Sequence, residues 1–108
     1  MKLLWLLVNC NSVAEAKRIG DISLRARLTV CYNIFPRLLT RFFWPPKTGK
    51  IERGKGCLLV MDTLPKHLKK LQKLVQSKHS DQVPFIGTVE ISNVNLAYYK
   101  WFKGELKN

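Results

Sequence analysis

The sequence predicts an α+β fold in which one antiparallel sheet carries helices on one face. Apolar runs of strand length alternate with two amphipathic segments of helical spacing, in the order β-α-β-β-α-β followed by a last short helix. The chain has 108 residues, of which 46% are hydrophobic. It is therefore long enough to bury one core and too apolar to be disordered. Residues 1–108 are expected to form a single domain.

The first strand and helix have clear local signals. Leu3–Val8 is a continuous apolar run, which is typical of a strand in the middle of a sheet. Ser12 and Glu15 have the spacing of a helix capping box, and apolar residues recur at helical spacing over the predicted helix Val13–Arg27. Gly20 lowers the helix propensity by about 1 kcal/mol relative to alanine. In exchange it allows a neighbouring group to approach closely.

A long bent hairpin is predicted next. Leu28–Phe35 and Leu38–Trp44 have strand character, and Pro36 interrupts them. Because proline removes a donor from the sheet ladder, it predicts a bulge or an edge strand. The turn is expected at residues 45–49, and the return strand at residues 50–61 is expected to kink at its glycines.

The remaining elements are a helix, a strand and a short closing helix. Leu64–Gln76 has one apolar face, Val83–Ile91 is predicted as the last strand, and Ser92 and Asn95 can cap the closing helix. This order predicts a ferredoxin-like βαββαβ sandwich with an extra C-terminal helix. The strands are apolar on both faces, so the face without helices needs a cover. A symmetric oligomer supplies one.

The formal net charge of +12 favours anionic partners. Residues 22–51 and 63–80 contain basic residues and no acid. The second helix carries a stripe of lysines at helical spacing, namely Lys66, Lys69, Lys70 and Lys73. Solubility explains this charge in one interpretation, and a basic module that binds nucleic acid or another polyanion is the alternative. Nucleic acid is disfavoured because the sequence lacks the aromatic strand pattern of RNA-binding sheets.

The three cysteines, Cys10, Cys31 and Cys57, have no spacing typical of a zinc site or a redox pair. Cys31 and Cys57 lie in strand-like runs and are expected to be reduced core thiols, which favours a cytoplasmic location. A lipoprotein signal ending at Cys10 is the alternative, but its apolar run is shorter than the roughly 7–15 residues of a signal core. No stretch reaches the roughly 20 apolar residues of a membrane span.

An enzymatic activity is not expected. The sequence has no glycine-rich phosphate loop, no Ser-His-Asp arrangement with a nucleophile elbow, and no pair of carboxylates at helical spacing. These patterns supply the reacting groups in the common classes of hydrolase and phosphotransferase. The sequence therefore predicts a binding or structural protein.

Four stretches of the sequence resemble one known family. Residues Cys31–Pro36 resemble the C-x-N-I-x-P segment of the CutA divalent-cation-tolerance proteins. Residues 44–52 are similar to that family's W-x-G-K-I-E hairpin, and residues 79–84 are similar to its H-P-Y-E-V-P segment before the last strand. Residues 95–101 resemble the N-P-x-Y-x-x-W of its closing helix. The likeness extends over nearly the whole chain.

The resemblance implies a homotrimer associated with tolerance of copper and other divalent cations. In such a trimer the long hairpin strands pair across subunit edges, and an anionic ligand or a partner protein is a further expected partner. Cys31 and His79 are the matched residues whose atoms suit copper or zinc, although two ligands are too few for a closed site. A packed thiol and a strand-capping histidine are the alternative, and His67 has no evident partner. Oligomer or packing contacts are expected from Trp44, Lys50, Glu52, Tyr98 and Trp101.

The sequence also departs from the family pattern. Residues 79–85 are H-S-D-Q-V-P-F where the family has H-P-Y-E-V-P-E, so a tyrosine and two glutamates are missing. Residues 53–56 are R-G-K-G where the family usually carries acids. Each change removes an oxygen ligand or adds a positive charge. Cation binding near these loops is therefore expected to be weaker than in the family.

Overall fold

The computed structural model describes all residues from Met1 to Asn108. It confirms the predicted α+β fold and element order. The elements are β1 (Leu3–Cys10), α1 (Val13–Arg25), β2 (Tyr32–Phe43), β3 (Ile51–Thr63), α2 (Pro65–Lys78), β4 (Ile86–Ile91) and α3 (Leu96–Glu105).

Strand β1 lies inside a four-stranded antiparallel sheet with the order β2-β3-β1-β4. Leu6 of β1 lies opposite Met61 of β3 and Thr88 of β4. Because side chains alternate between the faces of a sheet, Leu6, Val8 and Cys10 all point to the same face. That face packs against α1 and α2 and forms the main core, which includes Ala16, Ile19, Leu71 and Val75.

The N-terminus of α1 is capped as its sequence predicts. The Ser12 hydroxyl accepts a hydrogen bond from the Glu15 amide at 3.1 Å. The Glu15 carboxylate accepts a bond at 3.0 Å from the amide of Asn11, one residue before the N-cap, so the return bond of the capping box is displaced by one residue. The helix ends at Arg25 because Arg27 has a positive φ of 55°, and the amide of Leu28 bonds back to the Ser23 carbonyl.

Strand β2 begins at Tyr32 rather than at Leu28. Residues 28–31 form a turn instead, because the Thr29 hydroxyl and the amides of Val30 and Cys31 all donate to the Asp62 carboxylate. The prediction that Cys31 is a core thiol is therefore wrong, since Cys31 lies before the strand and is half-buried. Cys10 and Cys57 are fully buried, and all three cysteines are free thiols.

The β2–β3 hairpin is long and irregular, as predicted. β2 continues past Pro36 with a register shift between Arg37 and Thr40, and it is an edge strand, where proline is tolerated. The pairing of β1 with β3 ends at Cys10 and Cys57, so residues 37–56 extend beyond the sheet as two strands. We call this segment the hairpin arm. The molecule is accordingly elongated, with extents of 48 × 26 × 22 Å.

The last two elements differ from the sequence prediction in their detail. β4 begins at Ile86 rather than at Val83, and Asn95 lies at the N-cap position of α3 without a side-chain capping bond. Phe102 and Leu106 pack with Leu3 in a second, smaller core. No helix of the chain combines the length and apolar character needed to cross a membrane.

Gly20 allows α1 to pack closely on β2. A Cβ atom at Gly20 would lie 2.6–2.8 Å from the Tyr32 ring, and the Tyr32 hydroxyl is held by a 2.8 Å bond to Asp21. Gly20→Ala is therefore expected to lower the free energy of unfolding by about 1–3 kcal/mol, although alanine is the better helix former. Denaturant unfolding at fixed protein concentration measures this change.

Gly104→Ala is the matched control, because a Cβ atom at Gly104 meets nothing within 4 Å. We expect the control to leave the free energy of unfolding unchanged or to raise it by at most about 1 kcal/mol. Equal effects of the two substitutions would contradict the packing role of Gly20.

Candidate functional site

Cys31 lies in a groove on the sheet face opposite α1 and α2. The groove has a volume of about 370 Å³ and is lined by Trp5, Asn33, Asp62 and Tyr98 among others. The Asn33 side-chain amide donates to the Cys31 sulfur at 3.8 Å. Burial, together with the nearby Asp62 carboxylate, raises the pKa of the Cys31 thiol. The thiol is therefore mostly protonated at neutral pH, which weakens it as a ligand and as a nucleophile.

Asp62 is a buried carboxylate whose hydrogen bonds hold this groove together. Its Oδ1 atom accepts bonds from the Thr29 hydroxyl at 3.0 Å and from the Val30 and Cys31 amides at 3.2 Å. Its Oδ2 atom accepts a 2.5 Å bond from the Tyr98 hydroxyl. Burial and this bond raise the pKa of Tyr98 well above its ordinary value. Asp62 thus joins the turn before β2 to α3.

His79 lies at the opposite end of β1, directly after α2. Its Nδ1 atom accepts a hydrogen bond from the Asp81 amide at 3.0 Å. The proton is therefore assigned to Nε2, which donates to the Asn9 carbonyl at 2.6 Å. Both ring nitrogens are bonded to backbone groups, so the imidazole has no lone pair left for a cation in this arrangement.

His79 is close to Cys10 and Glu15, and the ligand atoms of the three lie within 4.8 Å of one another. Burial, with Cys57 and Glu15 nearby, raises the pKa of Cys10 to about 12. Metal binding requires a deprotonated thiol, and this pKa strongly opposes it at neutral pH. The trio therefore has the spacing of a metal site but not the free ligand atoms.

The Glu15 carboxylate connects three segments of the chain. It accepts bonds from the Asn11 amide and from the Ser80 amide, each at 3.0 Å. Burial raises the pKa of Glu15, but the bonds from Ser80 and Asn11, with His79 nearby, outweigh burial and hold the pKa below its usual value. We call Cys10, Asn11, Glu15, His79 and Ser80 the Glu15 hub, because these residues tie the β1–α1 loop to the α2–β4 loop.

The two predicted metal ligands do not meet within one chain. His79 belongs to the Glu15 hub, whereas Cys31 lies beside Asp62. A site that uses both residues would have to draw them from different subunits. Metal binding by Cys31 and His79 therefore stays a prediction.

The predicted packing residues lie at two places. The Trp44 amide donates to the Lys50 carbonyl at 3.0 Å and closes the end of the hairpin arm. Lys50, directly before β3, pairs with Glu52 of that strand at 3.0 Å, and both side chains are accessible to solvent, so the pair contributes about 0–1 kcal/mol. Tyr98 packs edge-on against Trp101 with ring centres 5.4 Å apart. Whether these residues contact another subunit stays a prediction.

His67 does have a partner, which the sequence analysis missed. The side chain is buried, and its Nε2 atom lies 2.7 Å from the Lys107 carbonyl. The Lys107 amide in turn donates to the Arg27 carbonyl at 2.8 Å. His67 therefore fastens the C-terminal segment, and no local pattern could indicate a contact with a residue so distant in the sequence.

The lysine stripe of α2 remains exposed. Lys66, Lys69, Lys70 and Lys73 are all exposed, and none of them takes part in an ion pair within the chain. The stripe is a solvated face that also suits an anionic partner. The polyanion alternative stays a prediction on this basis.

Comparison with known proteins gives one consistent result. A family model described as the CutA1 divalent ion tolerance protein matches residues 4–105. A CutA homolog of Danio rerio is 34% identical over 96 residues, which cover 89% of this chain and 62% of the fish protein. The divalent-cation tolerance protein CutA of Pyrococcus horikoshii is 29% identical over 93 residues, which cover 86% of this chain and 87% of that protein.

A solved structure agrees with these sequence relatives. The divalent cation tolerance protein Cut A1 of Thermus thermophilus superposes with a TM-score of 0.87 at 26% identity, over 99% of this chain and all of that one. The chain spans between about half and three-fifths of the length of the fish, frog and plant relatives that it matches.

Glu15→Gln tests the role of the hub. Glutamine keeps one carbonyl oxygen as an acceptor but places its NH2 group opposite the other backbone amide donor, so we expect a loss of about 1–3 kcal/mol in the free energy of unfolding. The folded-state pKa of Glu15 lies below its unfolded value. The contribution of Glu15 is therefore complete above the unfolded pKa and is lost as pH falls through the folded pKa.

Denaturant unfolding as a function of pH measures both effects. We expect the acid-dependent loss of stability to be smaller in Glu15→Gln than in the wild type. Glu90→Gln is the control, because Glu90 is exposed and pairs only with Lys2 on the surface. If both variants had the wild-type pH profile, the proposed role of Glu15 would be wrong.

Proposed function

The chain belongs to the CutA1 divalent ion tolerance family, and from this premise we propose that it acts as a non-catalytic homotrimer in the response to copper and other divalent cations. The observation that carries the assembly is an exposed apolar surface on the sheet. Its residues lie on the face that α1 and α2 do not cover. We call this surface the open face.

The open face presents large apolar side chains to solvent. Trp5 is 40% exposed, Phe35 is 52% exposed and Val89 is 45% exposed. Trp5 and Val89 are direct neighbours across β1 and β4, and Phe35 lies on β2 opposite Leu58. Contiguous apolar surface of this kind marks an interface. Burying it contributes roughly 25 cal/mol for each Å² removed from water.

The hairpin arm supports the same proposal. The arm has only two strands and does not bury its own apolar side chains. Leu38 is 88% exposed and Phe43 is 71% exposed. A two-stranded hairpin is marginally stable in water on its own, and the outer edge of β2 leaves backbone donors and acceptors unpaired. Pairing of the arm with an edge strand of a neighbouring copy satisfies these groups. Such head-to-tail contacts close into a ring, and three copies are the expectation from the family resemblance.

Three groups with shifted pKa values are poorly suited to general acid–base catalysis. Burial raises the pKa of Cys10 to about 12, the pKa of Tyr98 is also raised, and hydrogen bonds lower the pKa of Glu15. Each shift moves the pKa of the group further from neutral pH. A general acid or base needs the opposite, namely a pKa near the working pH.

Cys31 is the better of the two candidate cation ligands. Its thiol lies in the groove on the open face, whereas the nitrogens of His79 are bonded to backbone groups. A trimer built through the open face brings further copies of this surface near the groove, and a soft cation such as copper(I) suits thiolate ligands. We further propose a cytoplasmic location, because all three cysteines are free thiols.

Phe35→Asp tests the assembly. A charge on the open face is costly to bury, so we expect the variant to lose the trimer while the wild type has three times the 12.5 kDa chain mass. Size-exclusion chromatography with light scattering at micromolar concentration measures both. Lys73→Asp on the opposite side of the molecule is the control and should remain trimeric. A monomeric wild type would refute the proposal.

Cys31→Ser tests the cation site separately. We expect the variant to bind copper(I) at least about 10-fold more weakly than the wild type, because it lacks the Cys31 sulfur, the soft ligand atom in the groove. Competition with a chromophoric copper(I) chelator measures the affinity. Cys10→Ser is the control and should keep the wild-type affinity, since Cys10 is fully buried and lies outside the groove. A loss of affinity in Cys10→Ser alone would move the site to the Glu15 hub.

A further inference from the structure

A second and larger cavity lies between the hairpin arm and the loop that leads to β4. Its volume is about 640 Å³. Phe42, Trp44 and Phe85 form aromatic walls, and Arg37, Asn11 and Gln82 are among its polar residues. Small-molecule sites usually combine apolar and aromatic walls with polar groups that fix the ligand's orientation.

Arg37 has a positive charge that no group of the chain balances. One of its terminal nitrogens donates to the Lys55 carbonyl at 3.3 Å. Its Nε atom is buried and has no hydrogen-bond partner, and no carboxylate lies within ion-pair distance. A guanidinium group has five N–H donors, and a buried donor without an acceptor is costly. Arg37 therefore needs an acceptor from outside the chain.

The chain makes room for this guanidinium group at Gly56. Gly56 has a positive φ of 153° and lies opposite Arg37 in the hairpin. A Cβ atom at Gly56 would lie 2.8 Å from the guanidinium nitrogen Nη2 and 2.3 Å from the Cys10 carbonyl oxygen. A residue other than glycine would therefore displace the Arg37 side chain. The position of the guanidinium group at the cavity wall therefore depends on the absence of a side chain at Gly56.

Asp81 also lines the cavity, but it does not neutralise Arg37. Its Oδ1 atom accepts a 2.7 Å bond from the Asn11 side chain, and it makes no ion pair with Arg37 within 4.0 Å. The carboxylate therefore belongs to the hydrogen bonds around the Glu15 hub. It leaves the donor edge of Arg37 to another anion.

We propose that this cavity binds a small molecule that carries a carboxylate or phosphate group beside a flat apolar group. Arg37 holds the anionic group through its planar fork of donors, which matches both oxyanions. Phe42, Trp44 and Phe85 contact the flat group, as aromatic side chains do in ligand sites. An anion here also satisfies the Nε donor that the chain leaves unpaired. The inference goes beyond the cation response. All the residues it uses belong to one chain, and the proposed trimer places a neighbouring copy beside the hairpin arm that carries Arg37, Phe42 and Trp44.

Isothermal titration calorimetry with three simple probes tests the proposal. Benzoate and phenyl phosphate carry the two anionic groups, and benzamide is the neutral analogue of benzoate. We expect the wild type to bind at least one of the anions at millimolar concentration. Its affinity for benzamide should be lower by a factor of about 10 or more, because charge-assisted hydrogen bonds are stronger than neutral ones. The tighter of the two anions identifies the preferred anionic group.

Variants of Arg37 connect the binding to this cavity. Arg37→Gln should weaken anion binding about 10-fold or more, and Arg37→Lys should restore part of it, because lysine keeps the charge but not the fork. Arg41→Gln is the matched control, since Arg41 is exposed on the same strand, and it should bind like the wild type. Circular dichroism confirms that each variant is folded.

Two results would overturn the proposal. They are absence of binding by both anions at millimolar concentration, and equal anion binding by Arg37→Gln and the wild type. If Arg37→Gln kept wild-type anion binding but lost the oligomer, the missing acceptor would belong to a neighbouring subunit. If the protein were monomeric and still bound the anion through Arg37, this inference would be supported and the proposed trimer would be refuted. Failure of the anion site and failure of the trimer are therefore distinguishable.

Discussion

Strand β1 has apolar side chains on both of its faces, but α1 and α2 cover only one of them. Leu6 and Val8 are fully buried under the helices, whereas Trp5, on the other face of the same strand, remains partly exposed. A chain of this length has no further element to place there except α3, which packs around Leu3 at one end. In the proposed assembly, another copy of the chain buries the rest of the open face and the hairpin arm.

The polar groups of a single chain are used mainly to hold segments together. Glu15 joins the β1–α1 loop to the α2–β4 loop, and Asp62 joins the turn before β2 to α3. These carboxylates are satisfied by backbone and side-chain donors, which makes them poor cation ligands. Arg37 is the exception among the buried polar groups, since its Nε donor has no partner. The two proposed ligand groups, the Cys31 thiol and the Arg37 guanidinium group, are thus not bonded to either carboxylate.

Local patterns predicted most of the fold. The apolar run of β1, the capping box of Ser12 and Glu15, and the bulge near Pro36 each depend on neighbouring residues, and the structure confirms all three. The start of β2 was predicted wrongly, because the Asp62 carboxylate captures the amides before Tyr32. No pattern in the sequence shows that residues so far apart will meet.

The candidate sites were less predictable for the same reason. The family resemblance indicated Cys31 and His79, but their surroundings depend on Asp62 in one case and on Asn9 and Asp81 in the other. The partner of His67 is a carbonyl at the end of the chain. Arg37 could be seen only as one basic residue among many. Its importance comes from the absence of an acceptor near Nε, which is a property of the folded structure.

Hydrogen exchange of the hairpin arm tests the central claim most directly. The account predicts slow exchange of the amides in residues 37–56, because a neighbouring copy covers them. Fast exchange, comparable to that of the chain termini, would contradict it, since a two-stranded arm in solvent opens readily.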